Sequence, residues 1–433
     1  MPDKSQPLLI QSAQVVRASG TLETCDVLVE DGKISAVSRN LTAPSGIRII
    51  DASEMVMLPG LFDTHAHLRE PGHEDSETLE SGAQAALRGG ITGLVMMPDT
   101  HPPIDNGGMV QSVLDVASKV SSKLDFHVAG CISKGGRGED LAEIGDMQMR
   151  GAVMITDDPN SIANPQLMRR ALQYARGLGV LVAAHCDTPE LTAAGSMNDG
   201  RISYRLGLPG MHACSEEICL VRDIRLAQAM NTRIHIQHLT TARGVETLAR
   251  YKKEGMAVTA GVTPHHLIFT EEDVGEYNTN FKVKPPLRTH SDTVALQQGL
   301  RAGVIDVIAT DHSPFTEFEK EREFANAPFG MTGLETALPA LYQNLIRPGL
   351  LDWLTLVERF SRAPRRLINV PVAAIEPGQI ANWVLFNPNG VSHFNRDALG
   401  SKSFNTPFLD QTLPGQVVMV MLKNQILLDR TRA

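Results

Sequence analysis

Met55-Val56-Met57-Leu58-Pro59-Gly60-Leu61-Phe62-Asp63-Thr64-His65-Ala66-His67 carries an almost unbroken apolar stretch straight into two histidines one residue apart. The run Met55–Asp63 predicts a buried strand, with the motif Asp63-Thr64-His65-Ala66-His67-Leu68-Arg69-Glu70-Pro71-Gly72 at its end. In an extended chain residues i and i+2 share a face, so His65 and His67 can hold one cation together. A His-x-His pair alone is a weak signal; its position at the end of a strand gives it weight.

Seven more apolar runs follow: Gly93–Met97, Phe126–Cys131, Ala152–Thr156, Val180–His185, Arg233–His238, Ala257–Val262 and Ile305–Thr310. Amphipathic helical patterns lie between them, at Ser76–Arg88, Pro165–Arg176, Cys214–Gln228 and Thr241–Lys253. Strand-like and helical runs in alternation predict parallel strands with crossover helices, and eight strands close a (β/α)₈ barrel. Such barrels carry their active sites at the C-terminal ends of the strands, where the two histidines fall.

Both ends of the chain have a different texture. Leu8–Val16, Asp26–Glu30 and Lys33–Val37 read as strands with Asp31-Gly32 as a hairpin turn, and short β-like pieces return at Trp383–Phe386 and Gln416–Leu422. The expected organisation is one small β-domain built from residues 1–54 and 369–433, beside a barrel over 55–368.

Bulk properties narrow the partners. Of the 433 residues 42% are hydrophobic and 21% charged, a composition that supports a barrel-sized core. With 49 acidic and 40 basic residues the net charge is −9 and there is no basic block, which argues against nucleic acid or an anionic membrane as partner. The polar start Met1-Pro2-Asp3-Lys4-Ser5-Gln6-Pro7 lacks the order of a signal peptide, and no apolar run reaches the roughly 18 residues of a membrane span. Five scattered cysteines read as reduced thiols of a cytoplasmic protein.

Further candidates sit where the first two histidines do, at strand ends: Asp157 and Asp158 after the fourth run, His185 after the fifth, His238 after the sixth and Asp311 after the eighth. Each alone has an ordinary alternative, a satisfied core histidine or a helix-capping acid. Together they put four imidazoles and two or three carboxylates at one barrel mouth, a set that suits Zn²⁺ or a similar metal. A hydroxide bridging two metals is a nucleophile able to attack an amide near neutral pH, and Asp311 can move its proton to the departing nitrogen.

The run Leu58–Thr100, with Thr263-Pro264-His265-His266, Pro285-Pro286-Leu287-Arg288, Ala309-Thr310-Asp311-His312, Ala327-Pro328-Phe329-Gly330, Gly333-Leu334-Glu335-Thr336 and Asn405-Thr406-Pro407-Phe408, resembles the class I dihydroorotases of the amidohydrolase superfamily along nearly the whole chain. The resemblance implies reversible hydrolysis of the ring amide of dihydroorotate to N-carbamoyl-aspartate, with two Zn²⁺ ions (Mn²⁺ or Co²⁺ being compatible). It implies one metal on His65, His67 and Asp311 and another on His185 and His238. A strand-four acid bridges them: Asp158 by its spacing to His185, with Asp157 the runner-up. Hydantoinases and allantoinases carry a carboxylated lysine on that strand, and Ala152-Val153-Met154-Ile155-Thr156 offers no lysine.

On the substrate side the resemblance implies His67, Arg69 as a fork for the substrate carboxylate, and main-chain groups around Phe329 and Gly330. Three positions of that shell depart from the family: Asp99 and Lys284 each replace Asn, and Phe315 replaces His. An Asp99–Lys284 ion pair across the mouth is the expected compensation. The departures keep open a hydrolase of another cyclic amide or ureide, and a non-catalytic subunit supporting aspartate transcarbamoylase. Family precedent adds a homodimer, and the charged stretch Thr316–Ala327 reads either as a lid or as an exposed helix.

Overall fold

A computed structural model describes residues 7–120 and 124–431, so the expectation about Met1–Gln6 lies outside the described residues. Eight parallel strands form one sheet in sequential order: β1 (Leu61–Ala66), β2 (Ile91–Met96), β3 (Asp125–Gly130), β4 (Ala152–Ile155), β5 (Leu181–Ala184), β6 (Ile234–Ile236), β7 (Val258–Val262) and β8 (Val307–Ile308). Helices cover the outside, so most strand residues are buried on both faces, which is why the strands read as continuous apolar runs rather than alternating ones.

The eighth strand is only two residues long, and side chains finish the seam it leaves. The buried Asp63 carboxylate accepts the main-chain N–H of Thr310 at 2.9 Å and that of His65 at 3.1 Å. His312 bridges Ala66 on one side and Met331 on the other, and its carbonyl accepts from the His67 N–H at 2.8 Å. The residues that close the barrel are thus the immediate neighbours of His65, His67 and Asp311.

A second, largely antiparallel sheet joins the two ends of the chain. Its order is Gln425–Asp429, Gln411–Leu422, Asn382–Phe394, Val56–Pro59, Leu8–Val16, Leu22–Glu30 and Lys33–Ser38, with Arg48–Asp51 also pairing Leu8–Val16. Asp31 (φ 48°) and Gly32 (φ 73°) make the expected tight hairpin. Trp383, Leu385, Met57, Ile10 and Met419 fill the core of this sheet.

The single strand expected over Met55–Asp63 is divided. Val56–Pro59 belongs to the terminal sheet, paired with Trp383–Phe386, and Leu61 starts the barrel. Gly60 makes the crossing: a Cβ there would lie 2.0 Å from Asn382 Oδ1 and 2.2 Å from Thr92 Oγ1. The first helix likewise begins at Leu79 rather than Ser76, because Thr78 caps it by accepting the Ser81 N–H. Among the described residues no helix is long and apolar enough to cross a membrane.

Candidate active site

Six of the residues singled out in the sequence converge at the C-terminal mouth of the barrel, all buried: His65, His67, Asp158, His185, His238 and Asp311. Backbone geometry helps to aim them. His238 (φ 22°) and Asp311 (φ 51°) leave their strands in the left-handed region, an uncommon conformation for residues other than glycine, asparagine and aspartate that clusters at functional sites.

Asp158 stands in the middle. Its Oδ1 lies 3.1 Å from His65 Nε2 and 3.3 Å from His67 Nε2, and its Oδ2 lies 3.0 Å from both His185 Nδ1 and His238 Nε2. Asp311 Oδ1 faces the first pair only, 3.5 Å from His65 Nε2 and 3.4 Å from His67 Nε2. Asp157 points elsewhere, as adjacent residues of extended chain do. Its carboxylate accepts the N–H groups of Ile132 (2.7 Å) and Ser133 (2.9 Å) and holds the loop after β3.

The electrostatics follow from that packing. Burial alone would raise both carboxyls, but the histidines outweigh it, so Asp158 lies well below the ordinary carboxylate range and Asp311 is also lowered. Burial would depress His65, yet Asp158 and Asp311 together hold it above its ordinary value; for His185 burial prevails and the imidazole is lowered.

The donor atoms fit a cation. The ligating atoms of His65, His67 and Asp311 fall within 4.8 Å of one another, as do those of His65, Asp158 and His238. His65 and His67 bring their Nε2 atoms to 3.3 Å, and His185 Nδ1 and His238 Nε2 come to 3.0 Å. Imidazole nitrogens and carboxylate oxygens gathered this closely make the donor set that zinc-like cations take.

The expected Asp99–Lys284 ion pair does not form. Asp99 binds nearer groups instead: His67 Nδ1–H donates to its Oδ1 at 2.7 Å, and Arg69 Nη1 to its Oδ2 at 2.6 Å. Lys284 pairs with Asp187 Oδ2 at 3.1 Å, on the His185 side of the mouth. Arg69 is buried, its Nε donates to Pro314 O at 3.1 Å, and the Phe315 ring lies 4.6 Å beneath its guanidinium carbon.

Phe329 and Gly330 sit beside this group, but the main chain of Gly330 is already engaged. Its N–H goes to Lys282 O at 2.8 Å, and its carbonyl accepts from Lys320 Nζ at 2.9 Å and Asn405 Nδ2 at 3.1 Å. Thr316–Ala327 carries one short helix, Glu317–Lys320, and most of the segment is exposed, as the exposed-helix reading expected, but it is anchored from beneath. Lys320 is buried, and Lys282 Nζ donates to the carbonyls of Phe324 (2.6 Å), Ala325 (3.0 Å) and Ala327 (2.7 Å).

Four supporting residues escaped the sequence reading. Gln237 sets its amide 3.3 Å from His65 Nδ1 and 2.9 Å from Thr156 Oγ1. Glu77 meets His312 Nε2 at 3.2 Å, while His312 Nδ1 accepts the Gly333 N–H at 3.1 Å. Asp63 and Asp187 complete the set, and only Asp63, two residues before His65 and so on its face, left a readable trace. His235 contacts Thr259 Oγ1 at 2.9 Å inside the barrel, and His266 holds Pro285 O at 3.0 Å beside Lys284. Neither faces the cluster.

Residues 56–427 match the model of the amidohydrolase family. The chain is 42% identical to a dihydroorotase of Pelotomaculum thermopropionicum, over 94% of this chain and 95% of that one. It is 39% identical to a dihydroorotase of Mycobacterium leprae, over 95% and 96% of the two chains. Among solved structures, L-hydantoinase from Arthrobacter aurescens superposes with a TM-score of 0.85 at 22% identity, over 98% of this chain and 96% of that one, a likeness of fold. With sequence kinship along almost its full length, the chain belongs to the amidohydrolase family and, within it, to the dihydroorotases.

Proposed function

We propose that the protein opens the ring amide of dihydroorotate to N-carbamoyl-L-aspartate, and closes it in reverse, as a step of de novo pyrimidine synthesis. The observation that carries this is the division of Asp158, one oxygen toward His65 and His67 and the other toward His185 and His238. In this reading His65, His67 and Asp311 would hold one Zn²⁺, His185 and His238 would hold a second, and Asp158 would serve both; Mn²⁺ and Co²⁺ suit the same donors. Cations there supply Lewis acidity, which ionises water near neutral pH and polarises an amide carbonyl.

The side chains do the rest. Asp311, kept ionised by the neighbouring histidines, takes the proton of the attacking water and returns it to the departing ring nitrogen. Ser313 Oγ donates to Asp311 Oδ1 at 3.3 Å and steadies it. Asp63 and Gln237 hold the backbone and ring of His65. His67, Arg69, Asp99, Lys284, Phe315, Phe329 and Gly330 form the substrate side. We further propose a barrel over 55–368 flanked by a β-domain of 1–54 and 369–433, a cytoplasmic location, a homodimer, and association with aspartate transcarbamoylase.

The test is steady-state turnover of dihydroorotate, and of N-carbamoyl-aspartate in reverse, by zinc-loaded protein beside Asp311→Ala. Turnover that the variant reduces by about 10³-fold is the expected result. A protein that binds two zinc ions and turns over neither compound would overturn the reading.

A further inference from the structure

The pair of aspartates after β4 builds two things at once. Asp158 gathers the histidines, and Asp157 holds the loop beside them: it accepts the N–H groups of Ile132 at 2.7 Å and Ser133 at 2.9 Å on one oxygen and the Ser133 hydroxyl on the other. From Ser133 the chain continues as Lys134-Gly135-Gly136-Arg137-Gly138. The backbone of this turn is tied down. Gly135 N–H donates to Asp105 Oδ2 at 2.9 Å, Gly138 N–H to Ser133 Oγ at 2.7 Å, and Asn160 Nδ2 to Gly136 O at 3.3 Å. Arg137 is thus an exposed side chain carried on an anchored loop.

The loop walls an open cavity of about 280 Å³, which Arg137 lines together with Asp99, Asp157, Asp158 and Asn160. The three acids are already bonded within the protein: Asp158 to the histidines, Asp99 to His67 and Arg69, Asp157 to the loop amides. Among the described residues Arg137 is the one lysine or arginine lining this cavity, and no hydrogen bond or ion pair engages its guanidinium. Arg69 stands differently, with Nη1 on Asp99 and Nε on Pro314 O.

Dihydroorotate carries a carboxylate on its ring, and ring opening leaves that group in place while creating a second. A carboxylate pairs best with arginine through two parallel N–H···O bonds, which requires a guanidinium whose donors are free. Arg69 has given two of its donors to the protein, and Arg137 has given none. We propose that Arg137 is a substrate-binding residue that takes the ring carboxylate of dihydroorotate in the cavity beside Asp158. The proposal deepens the dihydroorotase reading and rests on it for the identity of the substrate. It makes the loop after β3 a wall of the substrate site and gives selectivity for the carboxylated ring to a residue beyond the shell around Arg69.

Binding can be read apart from turnover. Orotate, the ring-unsaturated acid with the same carboxylate, is titrated calorimetrically into zinc-saturated protein, and KM and kcat for dihydroorotate are measured beside it. Arg137→Met keeps the length of the side chain and removes its charge. It should weaken orotate and raise KM by about tenfold, the worth of one charge-assisted contact, with kcat within about threefold and zinc content and Tm as in the wild type. Arg137→Lys, which keeps the charge without the fork, should fall between the two. Arg137→Gln replaces the Met variant should that one fail to fold.

Orotate affinity and KM that both stay within about threefold of the wild type in Arg137→Met would overturn the proposal. So would a loss of binding accompanied by lost zinc or a lowered Tm, which would mark a structural role, or a wild type that binds no orotate. Weakened orotate binding in the variant, with no turnover of dihydroorotate by either protein, would reject the hydrolase reading and leave Arg137 as the carboxylate site. Turnover by both proteins with unchanged orotate binding would reject the role of Arg137 alone.

Discussion

The cluster of four histidines and two aspartates and the rim around Arg69 lie side by side at one barrel mouth, yet they follow different rules. In the cluster Asp158 and Asp311 approach the four imidazoles at 3.0 to 3.5 Å, and all six residues are ones that the resemblance read in the sequence implies as metal ligands. On the rim stand the three positions that the same resemblance marks as departures, and two of them meet at one guanidinium: Asp99 through its carboxylate and Phe315 through its ring. Donors that must converge on a cation have no alternative geometry to adopt. Groups that merely surround a ligand can re-pair with one another, and here they have done so. His67 joins the two regions, with Nε2 in the cluster and Nδ1 on Asp99.

The largest effect should come from breaking the cluster at its centre. Asp158→Ala removes the one group shared by both histidine pairs and leaves buried donors unpaired. Activity is expected to fall by at least about 10³-fold, with less than one zinc retained per chain by elemental analysis. Retention of two zinc ions would show that the pairs do not depend on a common carboxylate. Next in size is Gln237→Ala, which strips the amide from behind His65. Supports of this kind are worth about 10- to 100-fold in metal affinity, measurable by chelator competition.

These two regions were not equally legible. The barrel could be read because parallel strands buried on both faces become apolar runs, and the strand-end residues could be read because barrel sites gather there. Gly60 hid the division of Met55–Asp63, since one apolar run serves two sheets without a change of composition. Asp157 and Asp158 are adjacent, and spacing alone cannot tell which faces inward. The rim was harder for a further reason: the partner of a charged side chain depends on distances between residues far apart in sequence. Asp99 lies 30 residues from Arg69, and nothing local distinguishes Arg69 from Lys284 as its partner. Gln237 and Glu77 look like any polar residues until the fold brings them to His65 and His312.

A smaller effect should come from the rim alone. Phe315→Ala removes the ring beneath Arg69, a contact of about 0.5–2 kcal/mol. The expected outcome is a change in KM for dihydroorotate of a few-fold up to about tenfold, with kcat and zinc affinity as in the wild type. A fall in kcat or in bound zinc would mean that rim and cluster are less separable than the geometry indicates.

The smallest effect concerns the segment Thr316–Ala327 and its buried lysine, Lys320. Burial, together with the nearby Lys282 charge, pushes the Lys320 ammonium down to about 7 from its ordinary 10.5. The folded protein therefore releases this proton well before the unfolded chain does. Between about pH 7 and 10.5 the unfolded chain holds more protons, so this group makes stability rise with pH across that window; below it both states are protonated and the contribution is flat. Lys320→Met removes the titration along with the bonds to Pro328 O and Gly330 O. The rise in Tm from pH 7 to 9.5 should then be shallower than in the wild type by about 1–2 °C, with zinc content unchanged. Parallel slopes in the two proteins would place the Lys320 ammonium in an environment that tolerates its charge, and the loop would then be held by its carbonyl contacts without an electrostatic cost.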